Sequence, residues 1–282
     1  MSRPKIGLHV SGAGGLENAP VRARVLGGEC FQFFSRSPRG GGGAPIRAET
    51  ARSFRAACRR GELASYIHAP YYVNFASRNN RVSFGSVSAV REELQRGTLL
   101  GVRHVMTHLG SAADLGEQVA LPQVVERLRA VFDPQKLGKV TTTLLLEISA
   151  GAGGIIGDTF EHLAYVLTHL RRRDVGICLD TCHLFASGYD IRTPEAVAET
   201  VRRYRQHLPI TTLRLLHASD STFGLGEHKD RHAAIGDGAL GVDTFRHLLE
   251  HPDVRRVNFI LETPGTDARR KRDVALVKKL RG

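Results

Sequence analysis

The sequence predicts an α/β fold in which a single domain, residues 1–282, forms a (β/α)8 TIM barrel. Eight short apolar runs rich in β-forming residues recur along the chain, and helical patterns lie between them. No Pro- or Ser-rich linker divides these units. Strand and helix alternating through about 250 residues is typical of this barrel. An open, doubly wound sheet is the alternative, but the number of strands favours the barrel.

Each predicted strand is an apolar run of five to eight residues. In chain order the strands are Ile6–Ser11, Cys30–Ser35, Ser65–Ala69, His104–Gly110, Thr142–Ser149, Val175–Cys182, Leu213–Asp220 and Asn258–Thr263. Apolar residues spaced i, i+3, i+4 and i+7 predict helices around residues 124–132 and 160–170. Asp158–Thr159 and Thr193–Pro194 are typical helix starts, the second with proline in the first turn.

The composition is that of a basic globular protein. The formal net charge is +12, and 33 of the 40 basic residues are arginine. This excess favours a polyanionic partner, but Arg-biased codon usage or a heat-adapted surface predicts it equally well. No apolar stretch reaches the ~20 residues of a membrane span, and the N-terminus enters a strand-like run without room for a signal peptide. Four cysteines are too few for a disulfide scaffold, so we expect a cytoplasmic protein.

Histidines and carboxylates stand where the predicted strands end. In a barrel these ends meet at one mouth, where the chemistry of the fold is located. Nine candidate metal ligands fall there or in the long loop after strand seven: His68, His108, Glu147, Asp180, His183, His217, Asp230, His232 and Glu262. Any one of them has an ordinary structural explanation, such as a hydrogen-bonded histidine or a salt bridge. Their joint placement at one end favours a common function.

Metal ions would explain why these residues occur together. Four carboxylates in one pocket repel one another, and divalent cations remove that cost. A mixed His/Asp/Glu set suits Zn²⁺ or Mn²⁺, and nine ligands at three or four per ion support two or three ions. We expect Asp180 to end its strand and His183 to lie on the following loop. Asp230 and His232 are two residues apart and can face one ion together.

Other residues at the predicted mouth suggest contact with nucleic acid. Arg39 follows the second strand, and Tyr71 and Tyr72 follow the third. A planar cation and aromatic rings fit phosphate contact and base stacking, although the tyrosines could equally cover the barrel rim. The basic run Arg269–Arg272 is expected on the outer wall, away from the mouth, as a solvated helix face.

The chain resembles endonuclease IV, the zinc-dependent apurinic/apyrimidinic DNA-repair endonuclease family. The resemblance is carried by GLHVSGAGGLENA, FQFFSRSPRG, HAPYYVN, LDTCHLFASGYD, HASDSTFG, KDRHAAIGDGALG and ILETP. It extends from residue 6 to about residue 264, and the segments Leu179–Asp190 and Asp230–Gly238 are the most specific. Two departures are the glycine run Gly40–Gly43, where the family has a bulky residue, and His-Ala-Ser-Asp at residues 217–220. Neither departure changes a ligand, but the first leaves the DNA wedge undefined.

The resemblance implies a trinuclear zinc site, with Mn²⁺ an option at one position. His68, His108 and Glu147 would hold the first ion. Glu147 would bridge to a second ion, also held by Asp180, His217 and Glu262, and the third would be held by His183, Asp230 and His232. Arg39 and Tyr71 match positions that the family inserts into the DNA stack, and Tyr72 stands beside them.

The resemblance also implies an activity. A metal-bound hydroxide would attack the phosphorus 5′ to an abasic site, with Glu262 and Glu147 orienting the water, and would leave a 3′-hydroxyl and a 5′-deoxyribose phosphate. Double-stranded DNA with abasic sites or 3′-blocked ends would be the substrate, bound by a monomer without any membrane contact. Two other classes remain open: a sugar isomerase or epimerase, which needs at most two metals and no basic rim, and a zinc-stabilised DNA-binding module without an open metal position.

Overall fold

A computed structural model describes residues 3–113 and 115–282 and contains a closed barrel of parallel strands. The strands of the barrel are β1 (Ile6–His9), β2 (Cys30–Phe33), β3 (Ala64–His68), β4 (His104–Thr107), β5 (Thr143–Glu147), β6 (Val175–Asp180), β7 (Leu213–Ala218) and β10 (Asn258–Leu261). Two further short strands, β8 (Asp220–Ser221) and β9 (His232–Ala233), form a separate antiparallel pair.

The barrel closes between its first and last strands. Sequential neighbours pair in order from β1 to β7, and β10 then pairs with both β7 and β1. The register places Gly7 opposite Ile260 on one side of β1 and opposite Cys30 on the other. The predicted eight-stranded TIM barrel is therefore confirmed, and the open sheet is excluded.

The helices form the outer layer. They are α1 (Ala19–Val25), α2 (Ala48–Arg60), α3 (Asn80–Leu100), α4 (Glu117–Val131), α5 (Pro134–Leu137), α6 (Phe160–Leu170), α7 (Thr181–Ala186), α8 (Pro194–His207), α9 (Val242–Glu250) and α10 (Asp267–Arg281). Both predicted helix starts are confirmed, because the side chains of Thr159 and Thr193 cap α6 and α8. Within the described residues, no helix combines the length and apolar character needed to cross a membrane.

The predicted strands extend too far at the mouth. All eight end one to three residues earlier than expected, as at His9 instead of Ser11 and at Thr107 instead of Gly110. The apolar run continues past the last ladder bond because residues such as Leu109 remain buried beneath the loops. Two details of the site segments also differ from the prediction. His183 lies on the short helix α7 rather than a loop, and His232 lies in β9.

The barrel interior is filled by a compact apolar layer. Seven buried side chains form it: Cys30, Tyr66, Met106, Leu145, Cys178, Leu215 and Ile260. Each comes from a different strand of the barrel. A separate and larger apolar cluster packs the strands against the helices. The inner layer blocks the barrel, so only its carboxyl-terminal end opens into the site.

Candidate metal centre

A ring of polar side chains lies next to the apolar layer of the barrel, on the side of the carboxyl-terminal mouth. Residues two apart on a strand point to the same face, so the position two residues beyond each member of the layer also points inward. Those positions are Gln32, His68, His108, Glu147, Asp180, His217 and Glu262, and the corresponding position on β1 is His9. Every strand of the barrel thus directs one polar side chain towards the mouth.

Three side chains at the carboxyl-terminal ends of β3, β4 and β5 form the first cluster: His68 ends β3, His108 follows β4 and Glu147 ends β5. His108 Nε2 lies 3.2 Å from Glu147 Oε2, and His68 Nε2 lies 3.9 Å from the same oxygen. Glu147 is fully buried, while His108 is partly exposed at the cavity. The donor atoms of the three residues all lie within 4.8 Å of one another, which is close enough to share one ion.

Glu147 also belongs to a second cluster with Asp180, His217 and Glu262. His217 Nδ1 lies 2.8 Å from Glu147 Oε1 and 3.5 Å from Glu262 Oε2. The two carboxylate oxygens of Glu147 therefore face different clusters, which is the arrangement of a bridging ligand.

The third cluster joins α7 to the loop after β7. His183 Nε2 lies 3.3 Å from Asp230 Oδ2, and His232 Nε2 lies 3.5 Å from Asp230 Oδ1. Asp180 orients this cluster, because its Oδ1 accepts a hydrogen bond from the backbone N–H of His183 at 2.8 Å and so caps α7. The carbonyl of Ile148, 2.9 Å from His183 Nδ1, fixes the other side of the imidazole.

The unpaired atoms of these clusters fit metal ions. Among the described residues, five buried atoms of candidate ligands lack a hydrogen-bond partner: His108 Nδ1, Glu147 Oε2, Asp180 Oδ2, His183 Nε2 and His232 Nε2. A buried, unpaired polar atom costs about 1–3 kcal/mol. Imidazole nitrogens and carboxylate oxygens converging in this way form the donor set that Zn²⁺ prefers. The residues therefore suit the ions that the sequence predicts.

The electrostatics of the clusters favour carboxylates that stay ionised. Burial opposes the charge on Glu147, but the imidazoles of His108 and His217 outweigh it and lower the pKa of the carboxyl to about 2. Burial likewise opposes the charge on Glu262, but the imidazoles of His217, His9 and His68 together outweigh it, so that the pKa of Glu262 also falls well below its ordinary value. Anionic oxygens at the mouth attract cations.

The histidines divide into two kinds. Burial lowers the pKa of His68 to about 4, so this imidazole is neutral and able to bind a metal at pH 7. Burial also opposes the charge on His183, but the carboxylates of Asp180, Asp230 and Glu147 together outweigh it and raise the pKa of His183 well above its ordinary value. Burial opposes the charge on His217 as well, but Cys178, Glu262 and Glu147 together outweigh it and raise the pKa of His217 well above its ordinary value. A metal ion at these two sites would take the place of a proton.

Two polar residues at the centre were missed by the sequence analysis. Gln32 Nε2 donates a hydrogen bond to Glu262 Oε1 at 2.5 Å, and Gln32 Oε1 lies 2.9 Å from His217 Nε2. His9 Nδ1 lies 3.2 Å from Gln32 Nε2 and 3.6 Å from Glu262 Oε1. Both residues point to the mouth because His9 lies two residues after Gly7 on β1 and Gln32 lies two residues after Cys30 on β2. The sequence analysis overlooked them because neither strand carries one of the nine candidate ligands.

The clusters open into a cavity of about 370 Å³ at the mouth. His9, Tyr71, Thr263 and Arg270 contribute to its wall beside the candidate ligands. The prediction that the run Arg269–Arg272 lies away from the mouth is therefore wrong for Arg270. The helix that follows the last barrel strand begins at the mouth, so the first turn of α10 brings Arg270 to the rim.

Of the three candidate DNA-binding residues, Tyr71 lines the cavity, while Tyr72 follows it in the loop after β3 and Arg39 lies in the loop after β2. The side chains of Arg39 and Tyr71 are exposed, and Tyr72 is 38% exposed. The backbone N–H of Tyr71 donates to the carbonyl of Pro38 at 3.1 Å, so the loops after β2 and β3 are joined. The ring of Tyr71 also packs edge-on against that of His68, with 5.5 Å between their centroids. The loop surface is thus connected directly to a candidate metal ligand.

Comparisons with known proteins identify relatives along the whole chain. Residues 21–280 match a family described as the xylose isomerase-like TIM barrel. A probable endonuclease 4 from Methanoculleus marisnigri is 38% identical over 281 residues, covering 98% of this chain and 99% of that protein. A probable endonuclease 4 from Streptomyces coelicolor is also 38% identical, covering 100% of this chain and 96% of that protein.

Solved structures extend the comparison to three dimensions. The crystal structure of endonuclease IV from Thermus thermophilus superposes with a TM-score of 0.87 at 30% identity, covering 98% of both chains. A D-tagatose 3-epimerase-like protein superposes with a TM-score of 0.72 at 18% identity, which shows a shared fold only. Sequence identity and structure agree, and the chain belongs to the endonuclease IV family of metal-dependent DNA endonucleases.

Proposed function

We propose that this protein is a DNA-repair endonuclease that hydrolyses the phosphodiester 5′ to an abasic site in double-stranded DNA. One observation carries the proposal: three clusters of candidate metal ligands, two of them joined through Glu147, lie at the bottom of an open cavity with a basic and aromatic rim. The net charge of +12 favours the polyanionic substrate.

The site would hold three zinc ions, with Mn²⁺ an option at one position. The first would be bound by His68, His108 and Glu147. The second would be bound by Glu147, Asp180, His217 and Glu262, and the third by His183, Asp230 and His232. When bound, zinc supplies Lewis acidity and lowers the pKa of water to about 7. The observation that supports this loading is the set of buried, unpaired oxygen and nitrogen atoms within the clusters.

The catalytic carboxylates in this proposal are Glu262 and Glu147. Both are ionised at neutral pH and can accept a hydrogen bond from the attacking water, which orients it in line with the scissile bond. Glu262 is the better placed, because it lines the cavity while Glu147 is fully buried. The phosphorus–oxygen bond to the 3′-oxygen would break, leaving a 3′-hydroxyl and a 5′-deoxyribose phosphate.

The rim would select the damaged nucleotide. Arg39 is exposed for phosphate contact, and Tyr71 and Tyr72 expose ring surface for stacking. An abasic nucleotide loses no base pair when it turns out of the duplex, so its entry into the cavity costs less than that of an intact nucleotide. The same phosphodiester chemistry would remove 3′-blocking groups.

We propose a monomer acting in the cytoplasm, where its four free cysteines stay reduced.

Metal analysis combined with an incision assay tests this proposal. The purified protein is analysed for zinc and manganese and then incubated with an abasic duplex, with and without chelator. We expect three ions per chain and incision that chelator abolishes and zinc restores. One or two ions with ketose epimerisation instead of nicking would favour the isomerase alternative. Bound zinc with DNA affinity but no nicking would favour a DNA-binding module.

A further inference from the structure

We propose that Gln32 fixes the hydrogen positions of two histidines, leaving Nδ1 of His217 free for a metal ion and directing Nε2–H of His9 as a hydrogen-bond donor to a phosphate oxygen of the substrate. This inference rests on the proposed function, since it treats His217 and Glu262 as metal ligands. It assigns His9 to substrate contact and Gln32 to a positioning role through the other two residues.

The orientation of the Gln32 amide follows from its partners. Gln32 is fully buried, and the neighbour 2.5 Å from one end of its amide is Glu262 Oε1. An ionised carboxylate only accepts hydrogen bonds, so the NH2 group must face Glu262 and the oxygen must face His217. The reverse orientation would place the amide oxygen of Gln32 against the carboxylate of Glu262, where neither group can donate a hydrogen bond.

The oxygen of Gln32 determines which nitrogen of His217 carries hydrogen. Gln32 Oε1 lies 2.9 Å from His217 Nε2, and an amide oxygen can only accept, so Nε2 must donate. The lone pair of a neutral His217 is then on Nδ1, which faces Glu147 Oε1 at 2.8 Å. A lone pair and a carboxylate oxygen repel at that distance unless a cation lies between or beside them. This orientation directs His217 Nδ1 into the second cluster, as a histidine ligand requires.

The second hydrogen of the Gln32 amide acts on His9. Gln32 Nε2 lies 3.2 Å from His9 Nδ1, and an NH2 group has two hydrogens to donate. Accepting this bond makes Nδ1 the lone-pair nitrogen of His9, so the hydrogen is on Nε2. The ring of Phe34 packs against that of His9 with 4.6 Å between centroids and restricts its rotation.

The position of His9 fits contact with the reacting phosphate. Its side chain lines the mouth cavity together with Glu262 and remains 21% exposed, so a ligand in the cavity can reach it. The N–H donor at Nε2 of His9 can bind a non-bridging phosphate oxygen without competing with cations for the carboxylates. Because the cavity lies below the rim, this contact would be available only to a nucleotide turned out of the duplex.

The hydrogen positions can be read directly by nitrogen-15 NMR of the zinc-loaded protein, in which Nδ1–H and Nε2–H imidazoles give different spectra. We expect His9 and His217 both to carry hydrogen on Nε2, with the Nδ1 signal of His217 shifted by metal. Hydrogen on Nδ1 of His9, or on both of its nitrogens, would overturn the inference.

Variants test the consequences. Gln32→Met keeps the side-chain length and removes the hydrogen bonds, so we expect a 10- to 100-fold weaker affinity for one zinc ion. Gln123→Met, which loses bonds to Phe75 and Ser77 outside the site, is the matched control and should bind zinc normally. Unchanged zinc affinity in Gln32→Met would remove the positioning role.

His9→Phe should retain all zinc, bind undamaged duplex normally and lose about tenfold in affinity for abasic duplex. His9→Gln restores a donor and should recover most of that loss. Equal affinity of all three proteins for abasic duplex would exclude the phosphate contact. Wild-type protein that neither binds zinc nor incises would instead disprove the proposed function, so the two failures are distinguishable.

Discussion

Asp220 Oδ1 accepts a hydrogen bond from the backbone N–H of Leu240 at 2.9 Å, across the loop that carries Asp230 and His232. The carboxylate also accepts from the N–H groups of Gly236 and Gly241 and is completely buried. One side chain thus closes a loop of about 20 residues, together with the pairing of β8 with β9, which includes His232. Asp220 does not belong to the third cluster of candidate ligands, so it would support that cluster only through the backbone of the loop.

Replacing Asp220 should therefore lower both the stability of the fold and the zinc content of the protein. In Asp220→Ala four backbone N–H groups, those of Ser221, Gly236, Leu240 and Gly241, lose their carboxylate acceptor, and we expect a loss of about 3 kcal/mol in the free energy of unfolding. We also expect one zinc fewer per chain, measured by metal analysis after gel filtration. Asp243→Ala, which removes an exposed carboxylate on α9, is the control. Full zinc content in Asp220→Ala would show that the loop is held by other contacts.

Glu262→Gln should separate binding from incision. The amide keeps the shape of the side chain but loses the negative charge that orients water, so we expect the single-turnover rate to fall by about 10²–10⁴. Affinity for abasic duplex, measured by fluorescence anisotropy, should stay within a few-fold of wild type. Unchanged incision would remove Glu262 from catalysis.

Arg39→Ala should weaken duplex binding without loss of zinc. If the guanidinium contacts a phosphate, the slope of log affinity against log salt concentration should decrease by about 0.9. Arg24→Ala removes an exposed arginine on α1 and provides the control for net charge. Zinc depletion in Arg39→Ala would show that the loop after β2 supports the metal centre instead of the DNA.

Arg270→Gln should also weaken binding of abasic duplex, because Arg270 lines the cavity although it lies in a run of surface arginines. We expect a several-fold loss that disappears at high salt. Arg272→Gln, two residues along α10, serves as the neighbouring control. Equal effects of the two substitutions would mean that Arg270 acts only through net charge.

The metal-free protein should lose stability as the pH rises above neutrality. The pKa values of His183 and His217 are raised in the folded state, so their protonation stabilises the fold fully below pH ~6.5 and is lost as the pH rises through the folded values. Zinc replaces these protons. The difference in melting temperature between zinc-loaded and metal-free protein should therefore grow between pH 6 and pH 8. A constant difference would contradict the protonation of these histidines.

Much of the architecture could be predicted from the sequence because strand and helix periodicities alternate without interruption. The residues at which the strands end could not be predicted in this way. At the mouth, hydrophobic burial continues after the backbone ladder has stopped, as at Leu109, and a pattern of apolar residues records burial rather than pairing. His183 was likewise predicted on a loop after the strand, whereas Asp180 caps the short helix α7, which includes His183.

Gln32 and His9 show a different limit of prediction. The nine candidate ligands were recognised by residue type, and a glutamine inside an apolar run has no metal-binding signature. Its importance depends on which strands are neighbours after the barrel closes, since β2 lies next to β1 and only β1 separates it from β10. Arg270 was misplaced for a related reason: composition identifies a basic helix but not which of its turns begins at the mouth.

Analysis of the DNA ends produced from a defined abasic duplex is the most direct test of the central claim. We predict that the zinc-loaded protein leaves a 3′-hydroxyl and a 5′-deoxyribose phosphate at a single break on the 5′ side of the lesion. Chelation should abolish the break and added zinc should restore it. A 3′-unsaturated aldehyde, a break that survives chelation, or an intact duplex would contradict hydrolysis at this metal centre.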